Sequence, residues 1–135
     1  MLCFELDAEG NLKLLTGEEI IKKCVSEALY ALLQIIPTGK VTTYSDLSRV
    51  LHIHPRAVAK ILSRNMEPIA IPCHRVVRSN GDLGGYTLNG ENRRNFKSKL
   101  LALEGVSLLG DAKVRKESFI NLSKELLLFK PFKKV

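Results

Sequence analysis

The run Val41–Asn65, VTTYSDLSRVLHIHPRAVAKILSRN, decides how this chain folds. Thr43 followed by Asp46 three residues on is a helix-capping signature, and Leu47, Val50 and Leu51 give the next helix one buried side. The His52-Ile53-His54 triplet breaks the pattern. Pro55 restarts it at a first helical position, where its missing N–H costs nothing. In the second helix Ala57, Val58, Ile61 and Leu62 point inward, while Arg56, Lys60 and Arg64 stand four apart as a basic stripe. Two short helices, a three-residue turn and a basic second helix make a helix-turn-helix pattern. A helical hairpin with a solvated cationic face has the same local pattern, so charge elsewhere must decide between them. His52 and His54 flank the turn as surface or capping groups; two residues apart, they do not face a common metal.

The global charge favours DNA. Lys and Arg number 21 against 14 Asp and Glu, a net charge of +7, and the isoelectric point is about 9.5. That suits a polyanionic partner, nucleic acid or an anionic membrane. Part of the excess is bland, since the terminal KPFKKV reads as a solvated tail. A length of 135 residues fits one domain with its own core, and a mean hydropathy of +0.02 is that of a globular chain. No apolar run reaches membrane-spanning length, and the acidic N-terminus lacks the basic region of a secretory signal. Cys3, Cys24 and Cys73 form no CxxC or Cys/His set at zinc spacing, so reduced cysteines and no metal are expected.

The second informative stretch is Ile69–Val77, IAIPCHRVV. Cys73 among β-formers reads first as a small hydrophobe in a buried strand. His74 and Arg75 directly after it supply a base and a cation, the neighbours that turn a thiol into a nucleophile. Upstream, residues 3–15 alternate around an Asp-Ala-Glu-Gly turn and predict a short β-hairpin. A Thr16–Glu19 capping box opens a long helix with Ile21, Val25, Ala28, Leu32 and Ile36 on its apolar side, ended by Pro37 and Gly39. Cys24, within it, reads as core-facing or neutral. Downstream, the Asn80-Gly81 turn predicts a hairpin over Val76–Tyr86, the wing of a winged helix. Residues 89–106 predict a helix with Phe96, Leu100 and Leu103 on its apolar side and Gly105 past its end. A turn at 109–112, a strand near 118–120 and a short helix behind Asn121 complete the chain. The expected fold is α/β of the mixed, mainly helical kind, with a winged helix-turn-helix. Residues 1–15 are expected as a short hairpin extension and 16–135 as one compact catalytic and DNA-binding unit.

IPCHRVV, preceded by GKVTTYSDLSRVL…PRAV and followed by GGY…LLALEGV, resembles the O6-alkylguanine-DNA alkyltransferase family over about residues 36–106. The resemblance implies that Cys73 takes an alkyl group from O6 of a damaged guanine. It makes His74 the base, acting through a bound water, and Glu104 the carboxylate that orients the imidazole, a nucleophile–base–orienter arrangement. A thioether gives water no acyl carbon to attack, so one molecule would repair one lesion. The target O6 lies inside the stack, so the nucleotide must be flipped. In the resemblance Arg56 fills the vacated space, and Tyr44 presses the flanking phosphate and donates a proton toward the purine. Asn65 is the hinge between recognition helix and active-site segment. Thr87 would present a backbone N–H to O6, the Cys73 and Val76 carbonyls would accept from the guanine amino group, and Tyr86 would wall the pocket. Ala57 and Ala59 would allow close approach to a minor groove, with Lys60 and Arg64 toward phosphates. The implied partner is double-stranded DNA containing O6-alkylguanine, bound by a cytoplasmic, nucleoid-associated monomer with no cofactor and no membrane.

The sequence departs from the family in four places, one of them Lys60, which stands where small residues are frequent and would add a phosphate contact. Only some fifteen residues precede the first long helix, where relatives carry a larger domain, sometimes with zinc. TLNGENRR after Tyr86 is longer than the usual glycine-rich turn, which bears on pocket shape, and RNMEP replaces the commoner Asn-Pro after the hinge. Two other functions share features of the chain. A catalytically silent alkyltransferase-like protein would bind damaged DNA but lack the cysteine, and a winged-helix transcription regulator would need neither Pro-Cys-His-Arg nor Glu104. A cysteine hydrolase is the weakest reading, since nothing else suggests an acyl substrate.

Overall fold

The computed structural model describes residues 4–14, 16–88 and 90–128. Cys3 and the basic tail at 130–135 lie outside them. The expected N-terminal hairpin is present: β1 (Phe4–Leu6) and β2 (Leu12–Leu14) pair antiparallel. Phe4, Leu6, Leu12 and Leu14 all remain exposed, so it adds nothing to the core.

The long helix α1 spans Glu18–Gln34. Its start differs from the predicted capping box. Gly17 is the N-cap, at φ 105° and without a side-chain cap bond, a conformation that a β-branched threonine avoids. The buried stripe is shifted in part: Leu29 and Leu33 are fully buried beside the predicted Ile36, the predicted Ala28 and Leu32 pack against that core partly buried, and Ile21 is exposed. Cys73 is a free thiol, whereas Cys24 is disulfide-bonded, in place of the expected reduced cysteine.

Helix-turn-helix geometry follows from local caps. After β3 (Thr42–Thr43), α2 (Tyr44–Leu51) starts where Thr43 Oγ1 accepts from the Asp46 amide at 2.9 Å. It ends at His52, in the left-handed conformation with φ 56°. In α3 (Pro55–Ser63) the His54 ring caps the first turn, Nδ1 accepting from the Arg56 amide at 3.0 Å. Both histidines are thus turn and capping residues. Leu47, Leu51, Val58 and Leu62 are buried as the spacing predicted.

The segment after α3 does not form the predicted Val76–Tyr86 hairpin. β4 (Val76–Val77) instead pairs parallel with β3, Thr42 against Val76 and Thr43 against Val77. The Asn80-Gly81 turn does form, its ends joined by Arg78 N–H to Asp82 O at 2.9 Å. Val76 faces a core around Leu29, Leu33, Leu47 and Val58, and Val77 a second around Val41, Leu83, Leu101 and Val106. Successive strand residues point to opposite faces, so two residues of β4 join both cores.

A short hairpin, β5 (Thr87–Leu88) with β6 (Glu91–Asn92), precedes α4 (Arg94–Leu103). Of the predicted apolar side of α4, only Leu100 packs against the core, partly buried. Lys97, Ser98 and Leu101 face inward, while Phe96 and Leu103 are exposed. The helix closes in a Schellman motif, with Gly105 N–H to Ala102 O at 3.1 Å and Val106 N–H to Leu101 O at 3.0 Å. β7 (Leu108–Leu109) and β8 (Lys113–Val114) form a hairpin around the predicted turn, and Phe119 bridges in parallel to Val41. α5 (Leu122–Leu128) follows Asn121, whose side chain accepts from the Lys124 amide at 3.1 Å. Among the described residues no helix is long and apolar enough to cross a membrane.

One tertiary contact ties both ends of this unit. The buried Asp46 carboxylate accepts from Thr42 Oγ1 at 2.6 Å, the Leu122 amide at 2.6 Å and the Ser123 amide at 3.0 Å. It holds the first turn of α5 onto α2. Burial alone would raise its pKa, but these donors prevail and hold it below 3.8. Asp46→Asn, which loses the charge and one acceptor oxygen, is expected to cost about 1–3 kcal/mol at neutral pH. The carboxylate's stabilisation is complete above its unfolded pKa and disappears as pH falls through the lower folded value. The parent should therefore lose its advantage over Asp46→Asn on acidification below about pH 4. Denaturant titrations of both proteins at neutral pH and at pH 3 measure this; a constant difference would remove Asp46 from the stability of the fold.

Candidate active site and its family

Cys73 lies at the first position of a 3-10 turn, Cys73–Arg75, between Pro72 and β4. It is buried, at 8% exposure, and lines a cavity of about 420 Å³. Tyr44, Arg56, Ala59, Tyr86 and Thr87 line the same cavity, so it brings together six of the residues singled out from the sequence. Tyr44 comes from the start of α2, Arg56 and Ala59 from α3, and Thr87 from β5. Arg56, Lys60 and Arg64 are all exposed, Arg64 at the C-cap just past α3; only Arg56 reaches the cavity wall. Ala57 is half-buried.

Asn65 builds the approach to the cysteine. Its Oδ1 accepts from the Glu67 amide at 3.0 Å. Its Nδ2 donates to Ile71 O at 2.9 Å and to Cys73 Sγ at 3.3 Å. The loop between contains Ile69 at φ 77°, a conformation a β-branched residue adopts only under constraint. Gln34 of α1 adds a second tie, Nε2 donating to Ala70 O at 2.8 Å. Asn65 therefore joins the end of α3 to the thiol in one side chain.

Behind the cysteine, His74 is 1% exposed. Its Nε2 lies 2.9 Å from Glu104 Oε1. Glu104 is held below the usual carboxylate range: burial opposes this, and the Arg75 and His74 contacts outweigh it. An ionised carboxylate only accepts, so Nε2 carries the proton and Nδ1 presents a lone pair. Nδ1 is buried and has no protein partner. Burial pushes the His74 pKa down against the pull of Glu104, so the resting imidazole is neutral and free to accept a proton.

Arg75 and Lys97 take roles that the sequence did not assign. Arg75 does not serve the thiol. Its guanidinium forks onto Glu104, Nε to Oε1 at 3.1 Å and Nη2 to Oε2 at 2.5 Å, and donates to Ile36 O at 2.8 Å. The cation acting on the thiol is Lys97, 1% exposed in α4. Its Nζ donates to Val76 O at 2.7 Å, to Gly85 O at 3.3 Å and to Leu83 O. The Val76 carbonyl, expected to accept from a substrate amino group, thus already carries one bond. Burial pushes the Lys97 pKa down to about 7, while the nearby thiol pulls it upward. Burial likewise raises the thiol pKa, against the Asn65 hydrogen bond and Lys97. A lysine three and four residues before Leu100 and Leu101 is the only sequence signal, and surface lysines share it.

Tyr86 walls the cavity at 3% exposure, its ring centroid 6.0 Å from that of Phe96. Its hydroxyl has no protein partner, and burial pushes its pKa up to about 12. Among the described residues no group of three or more His, Cys, Asp or Glu side chains is placed to hold a metal ion. The arrangement is a buried nucleophile with a neutral imidazole beside it, in a cavity that a basic helix also lines.

A family model for the DNA-binding domain of 6-O-methylguanine DNA methyltransferase matches residues 25–106. A methylated-DNA–protein-cysteine methyltransferase from Pyrobaculum aerophilum is 49% identical over 80 residues, 59% of this chain and 51% of that protein. The O6-methylguanine-DNA methyltransferase structure from the hyperthermophilic archaeon Pyrococcus kodakaraensis is 40% identical. It superposes at a TM-score of 0.52, over 60% of this chain and 46% of that one. Mycobacterium tuberculosis OGT, solved in complex with DNA, is 30% identical at a TM-score of 0.53, over 67% of this chain and 51% of that one. The chain spans about half the length of the curated relatives it matches. The HTH pair, the Pro-Cys-His-Arg turn and Glu104 all fall within the matched span, and the chain belongs to the 6-O-methylguanine DNA methyltransferase family.

Proposed function

We propose that this chain repairs DNA by moving an alkyl group from O6 of guanine in duplex DNA to Cys73, once per molecule. The observation that carries the proposal is the shared cavity. The free thiol and the Arg56 face of the second helix of a helix-turn-helix line one space of about 420 Å³. A helix bound to DNA through that face would bring a flipped base to the sulfur. Residues 16–135 act as the unit that does this, with 1–15 as an extension. Relatives named as methylated-DNA–protein-cysteine methyltransferases, and one solved on DNA, support the reading.

In the reaction the thiol proton passes to Nδ1 of His74 through a water, and Glu104 stabilises the imidazolium through Nε2. The thiolate attacks the alkyl carbon, the bond from carbon to O6 breaks, and its electron pair stays on the purine oxygen. The Tyr44 hydroxyl donates toward the purine ring and so improves the leaving group. Thr87 offers its backbone N–H to O6, and the carbonyls of Cys73 and Val76 receive the guanine amino group. Arg56 occupies the stack that the base has left, and the small Ala57 and Ala59 let α3 approach the groove. Lys60 and Arg64 meet phosphates, so binding weakens with salt. A silent damage-binding protein would need none of the apparatus behind the sulfur.

Intact mass after incubation with a duplex containing O6-methylguanine should increase by one methyl, located on Cys73, with a stoichiometric burst. Several turnovers, or a methyl elsewhere, would contradict the mechanism. Cys73→Ser should bind the duplex and transfer nothing.

Glu104→Gln removes the charge that supports the imidazolium, and Lys97→Met the cation that favours the thiolate. Each should raise the thiol pKa and slow transfer roughly tenfold to a hundredfold near neutrality, with the deficit shrinking as pH rises. Transfer rate against pH at saturating DNA is the measurement; a parallel, unshifted profile would leave both residues with a purely structural role. Arg56→Ala should slow repair of duplex DNA more than reaction with the free base O6-benzylguanine. Equal losses on the two substrates would place Arg56 in support of the pocket.

A further inference from the structure

We propose that Arg78, with the hydroxyls of Ser45 and Ser79, forms the seat for a phosphodiester group of the nucleotide whose base enters the cavity. The inference rests on the alkyl-transfer reading above and adds a positioning residue to it. A purine that reaches Cys73 must leave its sugar and phosphates at the cavity rim. One set of lining residues comes from the basic α3, with Arg56. A second is made by Tyr44 and Ser45 from α2 and by Arg78 and Ser79 from the turn after β4.

That second set has the chemistry of an anion seat. Ser79 Oγ and Ser45 Oγ lie 3.1 Å apart, two hydroxyls from separate elements meeting at the rim. Arg78 is exposed, and its guanidinium has no hydrogen-bond or ion-pair partner among the described residues. The neighbouring carboxylate does not claim it. Asp82 is taken by Arg94 at 3.1 Å and by the Gly84 amide at 2.9 Å. Gly84 lies beside both Tyr44 and the stem of Arg78: a Cβ built on it would be 3.4 Å from Tyr44 Oη and 3.7 Å from Arg78 Cγ. The backbone there, at φ 71°, is the left-handed conformation that glycine adopts without strain. A planar, unpaired guanidinium beside two hydroxyls matches the tetrahedral oxygens of a phosphodiester. Arg56 and Arg78 then line one cavity from separate elements.

The test uses the full chain and a duplex in which one phosphate flanking O6-methylguanine, 5′ and 3′ in turn, is replaced by a neutral methylphosphonate. The parent should lose about tenfold in transfer rate at one of the two positions, the size of a lost charge-assisted contact. Arg78→Gln should lose a similar factor on the unmodified duplex and little more on that methylphosphonate duplex. Its loss on free O6-benzylguanine should be about tenfold smaller than its loss on duplex. Losses by Arg78→Gln and methylphosphonate that simply multiply would overturn the seat, as would equal losses on duplex and free base. Ser79→Ala should shrink the methylphosphonate effect at the same position and at no other; an effect at the opposite phosphate also overturns the assignment. A parent that transfers nothing to Cys73 from any substrate would bring down the alkyl-transfer reading and the seat with it.

Discussion

Glu104 is the residue on which the site's geometry depends. Its carboxylate accepts from His74 Nε2, Arg75 Nε and Arg75 Nη2 within 3.1 Å. It sits at the C-cap of α4, where the helix field disfavours an anion. The Arg75 fork offsets that cost, and charge-assisted bonds of this kind are the strong ones. Through Arg75 the same carboxylate reaches the carbonyl of Ile36, just past the end of α1. Gly39 completes the clamp from the backbone side: at φ 89°, a Cβ there would lie 3.1 Å from the Glu104 carbonyl oxygen. The 3-10 turn bearing Cys73 is thus anchored to two helices before any contact of the thiol itself is counted.

Lys97 does for the other side of the cavity what Glu104 does for the back. A buried ammonium is costly unless its donors are used, and three carbonyls from β4 and the 83–85 segment use them. Those bonds also explain why the predicted hairpin is missing. The carbonyls of Val76, Leu83 and Gly85 converge on one lysine, and the Leu83 amide bonds Ala112 O. Two segments that would have paired with each other are joined through a side chain, leaving β4 free to pair with β3.

The parts of the fold legible in the sequence are those set by contacts a few residues apart. Thr43 and Pro55 located α2 and α3, and the Leu47, Leu51, Val58, Leu62 spacing gave their buried sides. Gly105 marked the end of α4 because only a residue tolerant of positive φ ends a helix in that way. The candidate site was legible through a resemblance. Cys73, Tyr44, Arg56, Ala59, Tyr86 and Thr87 do share one cavity. What stayed hidden depends on long-range partners. Asp46 looked like half of a local capping box, yet its carboxylate serves α5, 76 residues away. Lys97 looked like a surface cation, and the parallel β3–β4 pair is too short for any periodicity to announce it.

The electrostatics of the resting site suit a nucleophile that, on the proposed chemistry, is used once. Burial keeps the thiol pKa high, so the thiolate does not accumulate in the free protein. A thiol held protonated reacts slowly with stray electrophiles, since the thiolate is the reactive form. The means of ionising it are nonetheless in place: a neutral His74 with a free Nδ1, a lysine whose pKa is close to neutrality, and the Asn65 amide already on the sulfur. On the proposed chemistry the water that relays the proton sits behind the sulfur, between Cys73 and Nδ1 of His74, so a purine that fills the cavity leaves the relay in place. The thiol would then give up its proton as the sulfur attacks the alkyl carbon, and a nucleophile that is never regenerated would be spent chiefly on a base that has reached it.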